Sequence, residues 1–272
     1  MKFSEAVRLL AESGVDSPRY DAAEIFSVLG GCGRAMLFAS DPECDSPKVS
    51  LAVMRRAKRE PLQYILGAVD FFREKYEVSR DCLIPRQDTE LLVEYAIGHI
   101  PSGARIADLC TGSGCVGISI LANTENTSAV LSDLSDGALE LARKNAVING
   151  VCDRAEFVAC DLLREELPGE FFAVVSNPPY VTEDAYLSLE SEIFFEPRSA
   201  FVADENGLQF YKKFIPTYKT KISREGFLAF EIGYDQAESL RRIAESEGMK
   251  CEIIKDYSGN DRVAVLRPIA DR

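Results

Sequence analysis

Up to about residue 60, apolar residues recur every three or four positions, the spacing of helices that bury one face. Val7, Leu9 and Leu10 predict a first helix with Ser4 as its cap. Ala22, Ile25, Phe26 and Leu29 predict a second helix over 21–29. Val49, Leu51, Ala52 and Met54 predict another, running into the basic stretch Arg55-Arg56-Ala57-Lys58-Arg59. That stretch reads as a solvated helix end rather than a phosphate-binding patch. Breaks at Gly30-Gly31-Cys32-Gly33 and at 41–47 keep the helices short, so the segment reads as a small bundle. Glu60-Pro61 ends this pattern. Two strands then follow at 69–72 and 76–78, with a turn at Arg73-Glu74-Lys75, and a helix over 88–99 that opens on Asp88, Thr89 and Glu90 as capping groups.

Beyond Pro101 strand and helix alternate. Strands are predicted at 105–109, 129–132, 156–159, 171–176, 226–231, 250–255 and 262–266, and helices at 113–121, 136–148, 207–218 and 236–247. This order predicts an α/β fold, a mostly parallel sheet between helices, with the two late strands free to run antiparallel. The organisation expected is a helical domain over 1–67, a β-hairpin linker over 68–84 and an α/β domain over 85–272.

Charge narrows the partners. Asp plus Glu outnumber Lys plus Arg by 44 to 31, a net charge of −13, the reverse of what a phosphate-gripping surface needs. The eight cysteines include no C-x-x-C pair and His99 is the only imidazole, so no metal site is expected. Interleaved charges in Met1–Arg8 leave no apolar signal core, and no apolar run is long enough to span a bilayer; the chain is expected in the cytoplasm, without a membrane partner.

The densest chemical signal is Asn177-Pro178-Pro179-Tyr180, which follows the apolar strand Phe171-Phe172-Ala173-Val174-Val175-Ser176. Two prolines stop the strand and stiffen the turn at the carboxyl edge of the sheet, where open α/β folds place ligands. The Asn177 side-chain oxygen and the Pro178 carbonyl are uncharged acceptors suited to a planar –NH2 group, with Tyr180 over its flat face. The chemistry this implies is transfer of a group to an amide or aromatic amine nitrogen.

A second site lies where the first α/β strand meets its helix, in Asp108-Leu109-Cys110-Thr111-Gly112-Ser113-Gly114-Cys115. Gly112-x-Gly114-x-x-Gly117, with Asp133 further on, also fits a dinucleotide fingerprint, so the glycines alone do not separate NAD from S-adenosylmethionine. Two features favour the latter: Asp108 can pair with an ammonium, and no histidine stands near to assist hydride transfer. Asp133 at the next strand end suits the two ribose hydroxyls, or alternatively caps the following helix. Asp161, at the end of a third strand, suits the adenine amine, with Leu162 against the base.

These motifs resemble the class I S-adenosylmethionine-dependent methyltransferases and, within them, the release-factor glutamine methyltransferases. Glu60-Pro61-Leu62-Gln63-Tyr64-Ile65-Leu66-Gly67, Phe71-Phe72, Ile84-Pro85-Arg86-Gln87-Asp88-Thr89-Glu90, Phe195-Glu196-Pro197, Gly207-Leu208, Glu231-Ile232-Gly233 and Gly259-Asn260-Asp261-Arg262 follow in that family's order across essentially the whole chain. Cys110 stands where the family usually has glycine, and Gln87 where it usually has proline. The resemblance implies a Rossmann-like seven-stranded methyltransferase domain behind a helical domain that recognises the substrate. The activity it implies is methylation of the glutamine in the Gly-Gly-Gln motif of peptide-chain release factors, with S-adenosylhomocysteine as product and no direct binding of nucleic acid. The cofactor residues implied are Asp108, Cys110, Thr111, Gly112, Ser113, Gly114, Asp133, Asp161, Leu162 and Asn177. For catalysis they are Asn177, Pro178 and Tyr180; Pro179 and Arg86 join them at the substrate, Arg86 shaping the entrance while held by Asp88 or Glu90. The rival readings are an adenine-directed DNA or RNA methyltransferase, a glutamine methyltransferase of another protein, and a binding module without transfer activity.

Overall fold

In the computed structural model, residues 1–269 are described, and they form two compact units. The first comprises Met1–Ala68 together with Glu190–Phe195; the second comprises Val69–Leu189 and the chain from Glu196 onward.

The first unit holds α1 (Phe3–Glu12), α2 (Pro18–Gly30), α3 (Arg34–Ser40), α4 (Pro47–Ala57) and α5 (Leu62–Leu66). Its core gathers Phe3, Ala6, Leu10, Ile25, Phe26, Leu37, Val49 and Val53, one stripe from each of the first four helices. Ser4 lies inside α1 rather than capping it: its N–H and hydroxyl donate to Asp41 at 2.7 and 2.8 Å, and Lys2 occupies the cap position. Leu51 and Met54, expected on the buried face of α4, are exposed.

The basic run is not a solvated end. Arg56, 8% exposed, donates to Asp21 at 2.6 Å and to Glu192 at 3.1 Å, while Arg59 grips both Glu192 oxygens at 2.6 and 2.7 Å. Bidentate guanidinium–carboxylate geometry of this kind is the strong form of the ion pair. Burial works against the Glu192 charge, but Arg59 and Arg56 prevail and hold its carboxyl down at about 2. Among the described residues no single helix is long and apolar enough to cross a membrane; α2 and α3, which reach that length together, are bent by 119°.

The hairpin β1 (Ala68–Phe71) and β2 (Glu74–Glu77) belongs to the second unit from Val69 on; its turn is only Phe72-Arg73, so Glu74 and Lys75 lie in a strand. After α6 (Glu90–His99) come β3 (Arg105–Leu109), α7 (Cys115–Ala122), β4 (Ser128–Asp133), α8 (Asp136–Ile148), β5 (Ala155–Ala159) and β6 (Phe171–Ser176). Then follow α9 (Glu183–Tyr186), α10 (Asp204–Gly207), α11 (Gln209–Tyr218), β7 (Ile222–Glu231), α12 (Ala237–Ser246), β8 (Met249–Lys255) and β9 (Asp261–Pro268). The helix predicted over 207–218 begins later because Glu205, Asn206 and Gly207 take left-handed backbone angles. Asp88, Thr89 and Glu90 do not cap α6 with their side chains; each reaches a distant partner instead.

Seven strands form one sheet in the order β5-β4-β3-β6-β7-β9-β8, parallel except that β9 runs antiparallel to both its neighbours. Alternation along the central strands sorts side chains to two faces. Ile106, Leu131, Ala173, Val175, Phe227 and Ala229 pack with Leu92, Val93 and Ile118 of α6 and α7. Ala107, Val130, Val174, Leu228 and Phe230 pack with Tyr211, Phe214 and Leu240 of α11 and α12. Covered on both faces, β3 and β6 need the near-continuous apolar runs they carry, and the edge strands β5 and β8 do not.

Candidate active site

Three successive strand ends deliver carboxylates to one cavity of about 220 Å³ in the second unit. Asp108, near the end of β3 and 1% exposed, accepts from Thr111 Oγ1 at 2.5 Å and from Gly117 N at 2.9 Å, both on Oδ2. The second bond depends on glycine, since a Cβ at 117 would stand 3.0 Å from that oxygen. Burial pushes the Asp108 carboxyl up to about 7, against the pull of those two donors.

Asp133 ends β4. Its Oδ2 accepts from Gly112 N at 2.9 Å and its Oδ1 from Ser135 N at 3.0 Å. The cap of α8 is Ser135, which accepts from Ala138 N at 3.2 Å, so the helix-cap alternative for Asp133 falls away. Asp161, just past β5, accepts from Leu163 N at 3.2 Å and lies 3.2 Å from the Arg164 guanidinium, with Leu162 buried beside it.

Around these acids the cavity wall includes Arg86, Cys110, Thr111, Gly112, Ser113, Leu162, Asn177 and Pro179. Gly114, Pro178 and Tyr180 are not part of that wall. At Gly114 a Cβ would meet Ile118 Cδ1 at 2.5 Å and Ala142 Cβ at 3.1 Å, so this glycine serves the packing of α7 against α8. Pro178 is buried, and Tyr180 turns its hydroxyl to Glu231 at 3.0 Å instead of covering the cavity. Cys110 has φ +56°, a left-handed angle that favours glycine. Cys82, Cys110, Cys115 and Cys160 all border the cavity, and burial raises each thiol above its ordinary range, which keeps them protonated and weakly nucleophilic.

The Asn177 corner is built from distant segments. Phe230 of β7 pairs with Ser176 of β6, which brings Glu231 alongside Asn177. Asn177 Nδ2 donates to Thr89 Oγ1 at 3.1 Å, and Thr89 in turn donates to Glu231 Oε2 at 2.5 Å. Arg86 pairs with Glu196, whose other oxygen accepts from Ile84 N at 2.8 Å. The partners expected for Arg86 are engaged elsewhere: Asp88 lies 3.2 Å from Arg262, and Glu90 accepts from Phe72 N at 2.9 Å. The spacing of the chain marks Thr89 only as a capping group and gives Glu196 and Glu231 no chemical role. Glu231 is a fourth strand-end acid, but its partners lie 51 and 142 residues away.

A seven-stranded sheet in this order, with acids at three strand ends around one cavity, defines a class I methyltransferase. Residues 3–67 match the PrmC N-terminal domain and residues 87–207 the methyltransferase small domain. The chain belongs to the release factor glutamine methyltransferase family. It is 36% identical to the release factor glutamine methyltransferase of Salmonella typhimurium over 97% of this chain and 96% of that one. It is 34% identical to that of Thermodesulfovibrio yellowstonii over 91% of each chain. The fold is shared with a methyltransferase from Pyrococcus furiosus, at a TM-score of 0.53 and 16% identity over 73% of this chain and 91% of that one.

Proposed function

We propose that the chain methylates the side-chain amide nitrogen of the glutamine in the Gly-Gly-Gln motif of peptide-chain release factors, using S-adenosylmethionine, in the cytoplasm. One observation carries the reading: an uncharged amide, Asn177, borders the same cavity as Asp108, Asp133 and Asp161.

The wall suits the methyl donor. Ser113 Oγ is buried with no hydrogen-bond partner, an orphaned donor in the residue that lines the same cavity as Asp108. Asp108 would hold the ammonium, Asp133 the ribose hydroxyls and Asp161 with Leu162 the adenine, with Cys110, Thr111, Gly112 and Ser113 forming the loop around the methionine part. When bound, S-adenosylmethionine supplies a methyl group on a positively charged sulfur.

The chain's own contribution is orientation. An amide nitrogen is a weak nucleophile because its lone pair is delocalised into the carbonyl. Asn177 Oδ1 and the Pro178 carbonyl, on one stiff turn, accept from the substrate –NH2 and favour the positive charge that develops there. Pro179 closes the wall beside them, and Arg86, anchored by Glu196, borders the approach. The buried thiols and the carboxylates held by backbone donors leave the amide corner without a strong base, and none is required if the proton leaves after transfer. The domain over 1–67 would contact the release factor.

Incubation with labelled donor and purified release factor, beside duplex DNA and RNA, tests the reading. Label on the glutamine amide is expected, and label on adenine would overturn it. Asn177→Ala is expected to abolish transfer while leaving donor affinity largely intact; near-normal turnover in that variant would remove the mechanism.

A further inference from the structure

The catalytic amide has two faces, and only one of them suits an incoming –NH2. An asparagine side chain presents an acceptor oxygen on one side and a donor nitrogen on the other, and rotation by half a turn exchanges them. If Asn177 turned its –NH2 to the cavity, donor would face donor and the substrate amide would be repelled. Something must hold the orientation.

Glu231 is 2% exposed, and both its oxygens are taken, Oε1 by the Tyr180 hydroxyl at 3.0 Å and Oε2 by the Thr89 hydroxyl at 2.5 Å. A carboxylate only accepts, so it claims the single Thr89 proton. With that proton committed, Thr89 Oγ1 offers only lone pairs to its other neighbour. Asn177 must therefore turn Nδ2 toward Thr89, which it does at 3.1 Å. Oδ1 is left for the cavity that Asn177 lines. Thr89 is itself 1% exposed, so no water competes easily for its proton.

We propose that Glu231 and Thr89 are positioning residues: a carboxylate–hydroxyl relay that fixes the Asn177 amide with its oxygen toward the substrate. The inference rests on the reading of Asn177 as the acceptor for the substrate amide. Arg262 supports the relay from behind. Burial raises the Glu231 carboxyl above its ordinary range, while the Thr89 and Tyr180 hydroxyls and then Arg262, anchored to Asp256 at 3.1 Å and Asp88 at 3.2 Å, pull it back toward the ionised, acceptor-only form.

The relay predicts a result that simple packing does not. In Glu231→Gln the new amide can donate to Thr89, which turns the Thr89 proton toward Asn177 and reverses its amide. Thr89→Val keeps the shape of the side chain and removes the hydroxyl. Both variants are expected to lose on the order of 100-fold in kcat for methyl transfer to release factor, the cost of a misplaced reacting group. Affinity for S-adenosylmethionine, read by calorimetry, is expected to stay at the wild-type level, which also certifies a folded site. Thr89→Ser restores a hydroxyl and is expected to recover most of the loss seen in Thr89→Val. Wild-type kcat in Glu231→Gln and Thr89→Val, with Asn177→Ala inactive, overturns the relay and leaves the function standing. Near-normal turnover in Asn177→Ala overturns the reading of Asn177 as the acceptor, on which the relay rests. Equal loss in Thr89→Ser and Thr89→Val also overturns the relay, because the hydroxyl would then not matter.

Discussion

The two sides of the cavity solve the same problem in opposite ways. Each holds a carboxyl group almost wholly out of water: Asp108 on the side of the methyl donor, Glu231 behind the acceptor corner. Asp108 is satisfied by its own neighbourhood, a hydroxyl three residues on and an N–H nine residues on. Glu231 is satisfied by hydroxyls 51 and 142 residues away, from the turn after β6 and the start of α6. A local carboxyl site is made by one strand–loop–helix segment and is legible as a motif. A remote one exists only after the sheet has formed. Burial raises both acids, but the local site loads both its donors on Oδ2 of Asp108, whereas the remote one commits both oxygens of Glu231 and acts only through what it orients.

Substitutions on the two sides break this contrast at different points. The largest effect is expected from Asn177→Ala, with transfer reduced by on the order of 1000-fold or more through loss of a preorganised acceptor, and with donor affinity largely intact. On the other side Asp108→Asn is expected to do the reverse, weakening S-adenosylmethionine binding by roughly 30- to 1000-fold, as expected for removal of one member of a buried charge pair, measured by calorimetry. The Asp108 side also titrates. Burial sets its carboxyl at about 7, and below that pH it is protonated and neutral, so binding an ammonium must first expel the proton. Donor affinity of the wild type is therefore expected to fall by about tenfold per pH unit below that value, and to be flat over the same range in Asp108→Asn.

Two glycines sharpen the contrast further. A Cβ at Gly207 would lie 2.1 Å from the backbone oxygen of Tyr180, at φ +78°, so neither atom can yield. Gly207→Ala is expected to cost about 3 kcal/mol in denaturant unfolding and to displace the turn that carries Asn177. A Cβ at Gly117 would press on Asp108 Oδ2 at 3.0 Å, a side chain that can shift. Gly117→Ala is thus expected to weaken donor binding more than stability. The smallest effect belongs to Cys110→Gly. Relief of a left-handed cysteine gains about 1 kcal/mol, partly offset by the freer unfolded chain of glycine.

Much of the architecture follows from local pattern because buried parallel strands must be apolar throughout and surface helices apolar on one stripe. β3, β6 and α8 occur over the predicted residues for that reason. The misses share a cause too. Ser4, Asp88, Thr89 and Glu90 have the residue types of helix caps, yet each finds a stronger partner across the fold. The basic run at 55–59 has the composition of a wet helix end, but Asp21 and Glu192 neutralise its Arg56 and Arg59 in a cluster that is buried at Arg56 and half-buried at Arg59.

The amino-acid order by itself determined the alternation of strand and helix, the three acids at or beside the ends of β3, β4 and β5, and the rigid Asn-Pro-Pro-Tyr turn. All of these depend on residues within one or two turns of each other. Only the tertiary structure decided which acid meets which donor. It paired Arg86 with Glu196, gave the cap of α8 to Ser135, and joined Asn177 through Thr89 to Glu231. Hydrogen-bond partners for a buried charge are chosen by proximity after folding, and proximity across 142 residues leaves no mark on the spacing of the chain.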